Sequence, residues 1–261
     1  MYDLGALESD LAGTIHAGKL HFSPTTGSTN TDAVTAGRNG APHGSVYFAD
    51  EQTAGRGRGG HNWYSDAGMG LYVSVLLRPA MDVVDLPIVP LVAGLATAWA
   101  IRLASGLHVD LRWPNDLLIG NRKTGGILVE SKTESGEVAF VVVGIGINVH
   151  QHEFAGGLST PATSLDIESG RAISRQALLT ALLESLQRET SVLHDRAVIA
   201  AIPARVAQIS SWLWNRRVEV HGPQACVGTT RGLDTNGFLL VQTEDGIVTV
   251  QTGGIREAAT G

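Results

Sequence analysis

Apolar and polar positions along the chain fall into two textures, with the change near Trp214. In the first, Leu4, Leu7 and Leu11 recur at helical spacing and predict a short amphipathic helix. The apolar run Val46-Tyr47-Phe48-Ala49 within residues 44–50, and a second run at Leu71–Leu77, predict buried strands. Leu86–Ala104 is longer and predicts a buried helix; Pro87, Pro90 and Gly94 interrupt it, so it does not read as a membrane span. His108–Trp113 alternates, with Val109, Leu111 and Trp113 on one face, and Pro114-Asn115-Asp116 stops it with turn chemistry. Strands predicted at Gly126–Lys132 and Val138–Val143 flank Ser135-Gly136, a hairpin turn. Ser174 is an acceptable N-cap for a helix reaching about His194, with Leu178, Leu182 and Leu186 on a face shared with Leu179 and Leu183.

Beyond Trp214 short strand candidates follow one another closely, at Arg217–His221, Ala225–Arg231, Phe238–Gln242 and Ile247–Gln251. Gly222-Pro223, Asn236-Gly237 and Asp245-Gly246 separate them, and the last two are dipeptides that accept positive φ in tight hairpins. This predicts a small β-barrel behind a larger α/β domain, dividing the chain into 1–213 and 214–261. A length of 261 residues accommodates both.

Composition narrows the function. A net charge of −6 lacks the basic excess expected of a protein whose main partner is a nucleic-acid backbone. Cys226 is the only cysteine, so no intrachain disulfide can form, and residues 1–20 lack a secretory signal; a cytoplasmic location is expected, with no membrane partner. Thirty-two glycines are many for this length and point to loops that bend sharply or approach a ligand.

The strongest local signal is Gly55-Arg56-Gly57-Arg58-Gly59-Gly60, whose backbone N–H groups and two guanidinium forks suit a carboxylate or phosphate. Gly55, Gly57 and Gly60 also satisfy G-x-G-x-x-G, but the residues that follow make a poor helix start, so a dinucleotide site is a weak reading. The second signal is Arg112-Trp113-Pro114-Asn115-Asp116, followed by Arg122-Lys123 and Gly125-Gly126-Ile127-Leu128. A lysine facing the arginine loop would neutralise a substrate carboxylate and the α-phosphate of ATP together, allowing one to attack the other. Taken singly, Asp116 also reads as a turn residue and Lys123 as a surface charge.

These blocks, preceded by Ser28-Thr29-Asn30 and followed by Gly144-Ile145-Gly146-Ile147-Asn148, resemble the signature blocks of biotin–protein ligases in order and spacing. The resemblance runs from about Thr25 to the C-terminus. It implies a mixed sheet flanked by helices, like class II aminoacyl-tRNA synthetases, with a small C-terminal SH3-like β-barrel. It implies an enzyme that activates biotin with Mg²⁺·ATP as an adenylate, then transfers biotin to a lysine of the biotin carboxyl carrier domain of an acyl-CoA carboxylase. By position, Ser28, Thr29, Asn30, Gln52 and Gly126 would line the biotin pocket. Arg56, Gly57 and Arg58 would close over biotin and hold the adenylate, and Lys123 would contact the biotin carboxylate and the reacting phosphate. Trp63 would stack near adenine, Asn115 and Asn148 would line the nucleotide side, and Asp116 would orient or deprotonate the incoming lysine. Other roles stay open: Ser28-Thr29-Asn30 as a helix cap, Gly144–Asn148 as a plain strand end, Trp63 as core.

This chain departs from the family's usual pattern at Arg112, where lysine is common, and at His61, where arginine is common. Regulatory members carry an N-terminal helix-turn-helix unit; too few residues precede Thr25 for one, so no repressor role is expected. His150-Gln151-His152 has the spacing of a metal pair without a third ligand, so no resident metal is expected. Cys226 reads as a small buried residue. A homodimer is compatible with the sequence. The rival readings are a lipoate–protein ligase, a nucleotide-dependent oxidoreductase and a non-catalytic carrier-binding module.

Overall fold

A computed structural model describes residues 2–258. After a short helix, α1 (Leu4–Asp10), one sheet collects β1 (Leu20–Thr26), β2 (Ser45–Gln52), β3 (Gly70–Leu77), β4 (Asp110–Arg112), β5 (Asp116–Ile119), β6 (Arg122–Glu134) and β7 (Glu137–Asn148). Their order is β1-β2-β3-β7-β6-β5-β4, with β1 and β2 parallel and every other neighbour antiparallel. The helices are α2 (Thr29–Arg38), α3 (Val89–Ser105), α4 (Leu165–Ser169), α5 (Arg175–Thr190) and α6 (Arg196–Ala207).

The two faces of this sheet carry different loads. β3 is buried along its whole length because both faces are covered. Val73, Val75 and Leu77 of β3, with Val141, Val143 and Ile145 of β7, join the core beneath α3 and α5. On the opposite face Leu76, Phe140 and Val142 pack with Ala33 of α2 in a smaller cluster. Because strand side chains alternate with period two, that second face of β7 reads Phe140, Val142, Gly144, Gly146. It is bulky where α2 packs and bare beyond it. The bare end is where a cleft opens.

The predicted helix at Leu86–Ala104 is a 3₁₀ turn over Val83–Ile88 leading into α3, whose first turn takes Pro90 without losing a hydrogen bond. Val83–Ser105 is apolar and long enough to cross a membrane, but 67% of its most apolar window is buried inside the protein. The strand predicted at His108–Trp113 shortens to β4, and the helix predicted to His194 ends at Thr190. Ser135 (φ 52°) and Gly136 (φ 86°) both take the left-handed conformation that a two-residue β6–β7 hairpin requires. The edge strand β1 was not foreseen: Pro24 argues against a strand, yet an edge strand tolerates it. Helix α6 contains Pro203 and was not foreseen either.

The C-terminal strands, β8 (Trp214–His221), β9 (Cys226–Leu233), β10 (Leu239–Thr243), β11 (Gly246–Val250) and β12 (Gly254–Glu257), form a second antiparallel sheet in the order β11-β10-β9-β8-β12. Val218, Val220, Leu239 and Val241 join the same apolar core as α3. Trp113 Nε1 donates to the Gly237 carbonyl at 3.0 Å, and a Cβ on Gly237 would stand 2.8 Å from Leu91. Cys226 is half-buried, not buried as expected, and burial raises its thiol pKa. Met1 and residues 259–261, the outer ends of the predicted spans 1–213 and 214–261, lie outside the described residues.

Candidate active site

The cleft is a half-open concavity with about 460 Å³ of empty space, part of it continuous with solvent. Ser28, Thr29 and Asn30 reach it from the start of α2 and Gln52 from the end of β2. Arg56, Gly57 and Arg58 close one side, with Trp63 behind them; Asn115, Lys123 and Gly126 form the other. The structure thus gathers eleven of the thirteen predicted site residues into one concavity. Asn148 is turned away: its Nδ2 donates to the Thr163 carbonyl at 3.0 Å and it does not line the cleft. Asp116 stands behind the cleft and reaches it through Lys123.

The floor is a continuous polar network. Gln52 Oε1 accepts from the Thr29 backbone N–H at 2.9 Å and from Thr29 Oγ1 at 3.1 Å, while Gln52 Nε2 donates to Ser65 Oγ at 2.8 Å. Ser74 of β3, fully buried, lies 2.8 Å from Thr29 Oγ1 and 2.6 Å from Asn30 Oδ1. Asn30 Nδ2 in turn donates to Glu130 Oε2 at 2.9 Å. Ser28 is the N-cap residue of α2, but its side chain makes no capping bond and stays free to face the cleft.

Each of the three cations in the cleft holds a partner. Arg56 forks onto Glu130, with NH2 to Oε2 at 2.6 Å and NH1 to Oε1 at 3.2 Å. Arg58 donates to the Gly253 carbonyl and, at 3.0 Å, to Thr252 Oγ1, so the turn before β12 holds the glycine-rich loop. Burial lowers the Arg58 pKa. Lys123 Nζ lies 2.5 Å from Asp116 Oδ1 and 5.7 Å from the Trp63 ring centroid. Arg112 bonds Asp116 Oδ2 through Nε (3.1 Å) and NH2 (2.6 Å), and Thr160 Oγ1 at 2.8 Å. Burial pushes the Asp116 carboxyl up, but Lys123 and Arg112 outweigh it and hold its pKa below the ordinary range. Arginine at position 112 therefore fits as a buried two-armed partner of Asp116, 8% exposed, stacked 5.2 Å from Trp212.

The glycines of the Gly144–Asn148 block make room. A Cβ on Gly146 would lie 2.5 Å from Trp63 Nε1, and one on Gly144 would fall on the Asn30 carboxamide. Trp63 Nε1 is buried with no hydrogen-bond partner among the described residues, an N–H that a ligand can use. The loop itself is a narrow turn: Gly57 N–H donates to the His61 carbonyl at 2.6 Å, Trp63 N–H to Gly55 at 2.9 Å, and Gly59 and Gly60 take φ 68° and 79°. The His61 side chain is exposed. No α-helix follows the loop, only a 3₁₀ turn over Arg58–Gly60, which removes the dinucleotide reading. His150 Nδ1 pairs with Asp166 at 2.8 Å, and among the described residues no three His, Cys, Asp or Glu side chains cluster as metal ligands.

Neither Ser74 nor Glu130 was singled out from the sequence. Ser74 sits inside an apolar run and Glu130 inside a strand, and only the partners across the sheet mark them. Three cations around a polar floor and a partly apolar wall can take an anionic group at one end and a neutral polar head at the other.

Residues 22–148 match the model of the biotin/lipoate A/B protein ligase family, and residues 214–255 that of the biotin protein ligase C terminal domain. The chain is 33% identical over 247 residues to the biotin--[acetyl-CoA-carboxylase] ligase of Mycobacterium tuberculosis, covering 91% of this chain and 88% of the relative. It is 34% identical over 241 residues to the bifunctional ligase/repressor BirA of Bacillus spizizenii, covering 90% and 73%. Among solved structures it is similar to the biotin protein ligase of Aquifex aeolicus in complex with biotin and ATP, with a TM-score of 0.78 and 27% identity over 92% of this chain and all of that one.

Proposed function

The chain belongs to the biotin protein ligases of the biotin/lipoate A/B protein ligase family, and on that premise we propose that it adenylates biotin and passes it to a lysine of a carboxylase carrier domain. The observation that carries this reading is the convergence of separate sequence blocks on one cleft whose cations all face the same space.

In the first step a biotin carboxylate oxygen attacks the α-phosphorus of Mg²⁺·ATP; the bond to the bridging oxygen breaks and pyrophosphate leaves. In the second, the carrier's lysine amine attacks the carbonyl carbon of the mixed anhydride, AMP leaves with the bonding pair, and the amine's proton passes to solvent water as the amide forms. Lys123 and the two loop arginines neutralise the converging anions, in a cleft that keeps water from the anhydride. Mg²⁺ enters as part of the ATP substrate. The polar floor of Ser28, Thr29, Asn30 and Gln52 takes the neutral head of biotin, and Trp63 and Asn115 bound the nucleotide side. Asp116, with both oxygens engaged and its pKa held low, is a weak proton acceptor. We assign it to orienting Lys123.

Residues 1–213 carry the cleft in this reading, and 214–261 form a small SH3-like barrel that supports the loop through Arg58. With a net charge of −6 the chain acts as a ligase without a DNA-binding role, in the cytoplasm.

The test is pyrophosphate release from Mg²⁺·ATP with biotin, with lipoate and with neither. Biotin-dependent release that falls at least ~100-fold in Lys123→Ala is expected. Release with lipoate alone, or with neither, would sink the assignment.

A further inference from the structure

We propose that Glu130, outside every sequence block described above, is a positioning residue that fixes both Arg56 and the hydrogen-bond polarity of the cleft floor; the second half rests on the biotin reading. Glu130 sits on the cleft face of β6, opposite Val142 of β7 and two residues beyond Leu128. An ionised carboxylate only accepts hydrogen bonds. Its oxygens take both arms of Arg56 and the Asn30 amide, three charge-assisted bonds on one side chain that is 32% exposed.

Two consequences follow from that acceptor-only character. Arg56 sits in a loop rich in glycine, where among the described residues only Glu130 bonds its guanidinium; the paired geometry sets where this cation stands in the cleft. The carboxylate also decides which way the Asn30 carboxamide faces. With Nδ2 toward Glu130, Oδ1 faces Ser74, whose single proton is then spent on it at 2.6 Å. Thr29 Oγ1 is left to donate to Ser74 or to Gln52 Oε1, at 2.8 or 3.1 Å. Every side-chain proton of the Thr29–Asn30–Ser74 floor is thereby used inside the protein. The lone pairs left over make the floor an acceptor of N–H groups from a ligand.

Glu130→Gln keeps the shape but brings an NH₂ against Arg56 alone at the Oε1 position, or against both Arg56 and the Asn30 amide at the Oε2 position. Turning Asn30 to avoid that clash would set its NH₂ against Ser74 and reverse the floor's polarity. Glu130→Asp keeps the acceptor character on a shorter stem. Two measurements on the purified full chain decide the matter: calorimetric titration with biotin in the absence of ATP, and trypsin cleavage after Arg56 with no ligand. Glu130→Gln is expected to bind biotin at least ~10-fold more weakly, with Glu130→Asp recovering most of the loss. Cleavage after Arg56 is expected to be several-fold faster in Glu130→Gln at an unchanged thermal midpoint. Biotin binding within twofold of the parent, or a Glu130→Asp no better than Glu130→Gln, overturns the polarity argument. Cleavage that does not change overturns the anchoring of Arg56. A parent chain that binds no biotin would refute the ligase reading, and the cleavage result would still decide the anchoring.

Discussion

Replacing Gly144 with alanine puts a methyl group where the Asn30 carboxamide already stands, 2.7 Å from its carbon. Neither side yields cheaply. Gly144 lies in β7 between β3 and β6, paired with Ser74 and Leu128, and Asn30 is 4% exposed with bonds to Ser74, Glu130 and the Leu128 carbonyl. Overpacking of this kind costs about 1–3 kcal/mol. Pushing Asn30 off its partners leaves buried polar groups unpaired at a further ~1–3 kcal/mol. Alanine recovers about 0.5–1 kcal/mol by restricting the unfolded chain. The net is a loss of about 3 kcal/mol, which in a chain of this size lowers the thermal midpoint by roughly 6–12 °C. Gly126→Ala is the control: its Cβ meets nothing nearer than 3.5 Å, at Lys123 Cε, and the midpoint should stay within about 2 °C. Differential scanning calorimetry of the two variants reads the contrast directly. If Gly144→Ala melts with Gly126→Ala, the crowding argument for the Gly-x-Gly-x-Asn block is wrong.

Asp116→Asn leaves the Arg112 guanidinium buried with a neutral partner and should cost about 3–5 kcal/mol by urea unfolding at pH 7. Because the Asp116 pKa is depressed in the folded chain, its stabilisation is complete above the ordinary carboxylate range and drains away as pH falls through the folded value. The variant should therefore lose less stability than the parent on acidification below about pH 4; equal losses would show that the pair contributes nothing. His16 is fully buried, with Nδ1 2.8 Å from the Gly44 carbonyl and Nε2 3.2 Å from that of Leu183. Burial lowers its pKa against the pull of both carbonyls, so it stabilises the fold above about pH 6.5 and ceases to as pH falls below that. His16→Asn should flatten the fall of the thermal midpoint as pH drops below about 6.5, and an unflattened slope would place the titration elsewhere.

Most of the cleft was legible because its residues are unusual where they stand: paired arginines among glycines, a lysine after a turn, glycines inside a buried strand. What escaped was ordinary in sequence and special only through its partners. Ser74 is one polar residue in an eight-residue buried strand, and nothing local says that Thr29 and Asn30 lie across from it. Asn148 was the reverse case, a motif residue whose amide is spent on a neighbouring loop. In the fold, the long periodic helices and the 126–143 hairpin were readable, while β1 and α6 were hidden by prolines that an edge strand and a local break in helix bonding can absorb.

The bond from Trp113 to Gly237, and the seating of Gly237 against Ile88 and Leu91, bear on how this chain can be recombined. The change of texture at Trp214 invites exchange of everything after it as a module. Yet the apolar interior runs through both sheets without a seam, so a transplanted C-terminal segment would bring a surface cut for another core. A viable chimera has to carry Ile88, Leu91 and Trp113 with the segment. Otherwise the mismatch falls directly behind the turn that leads to Asp116.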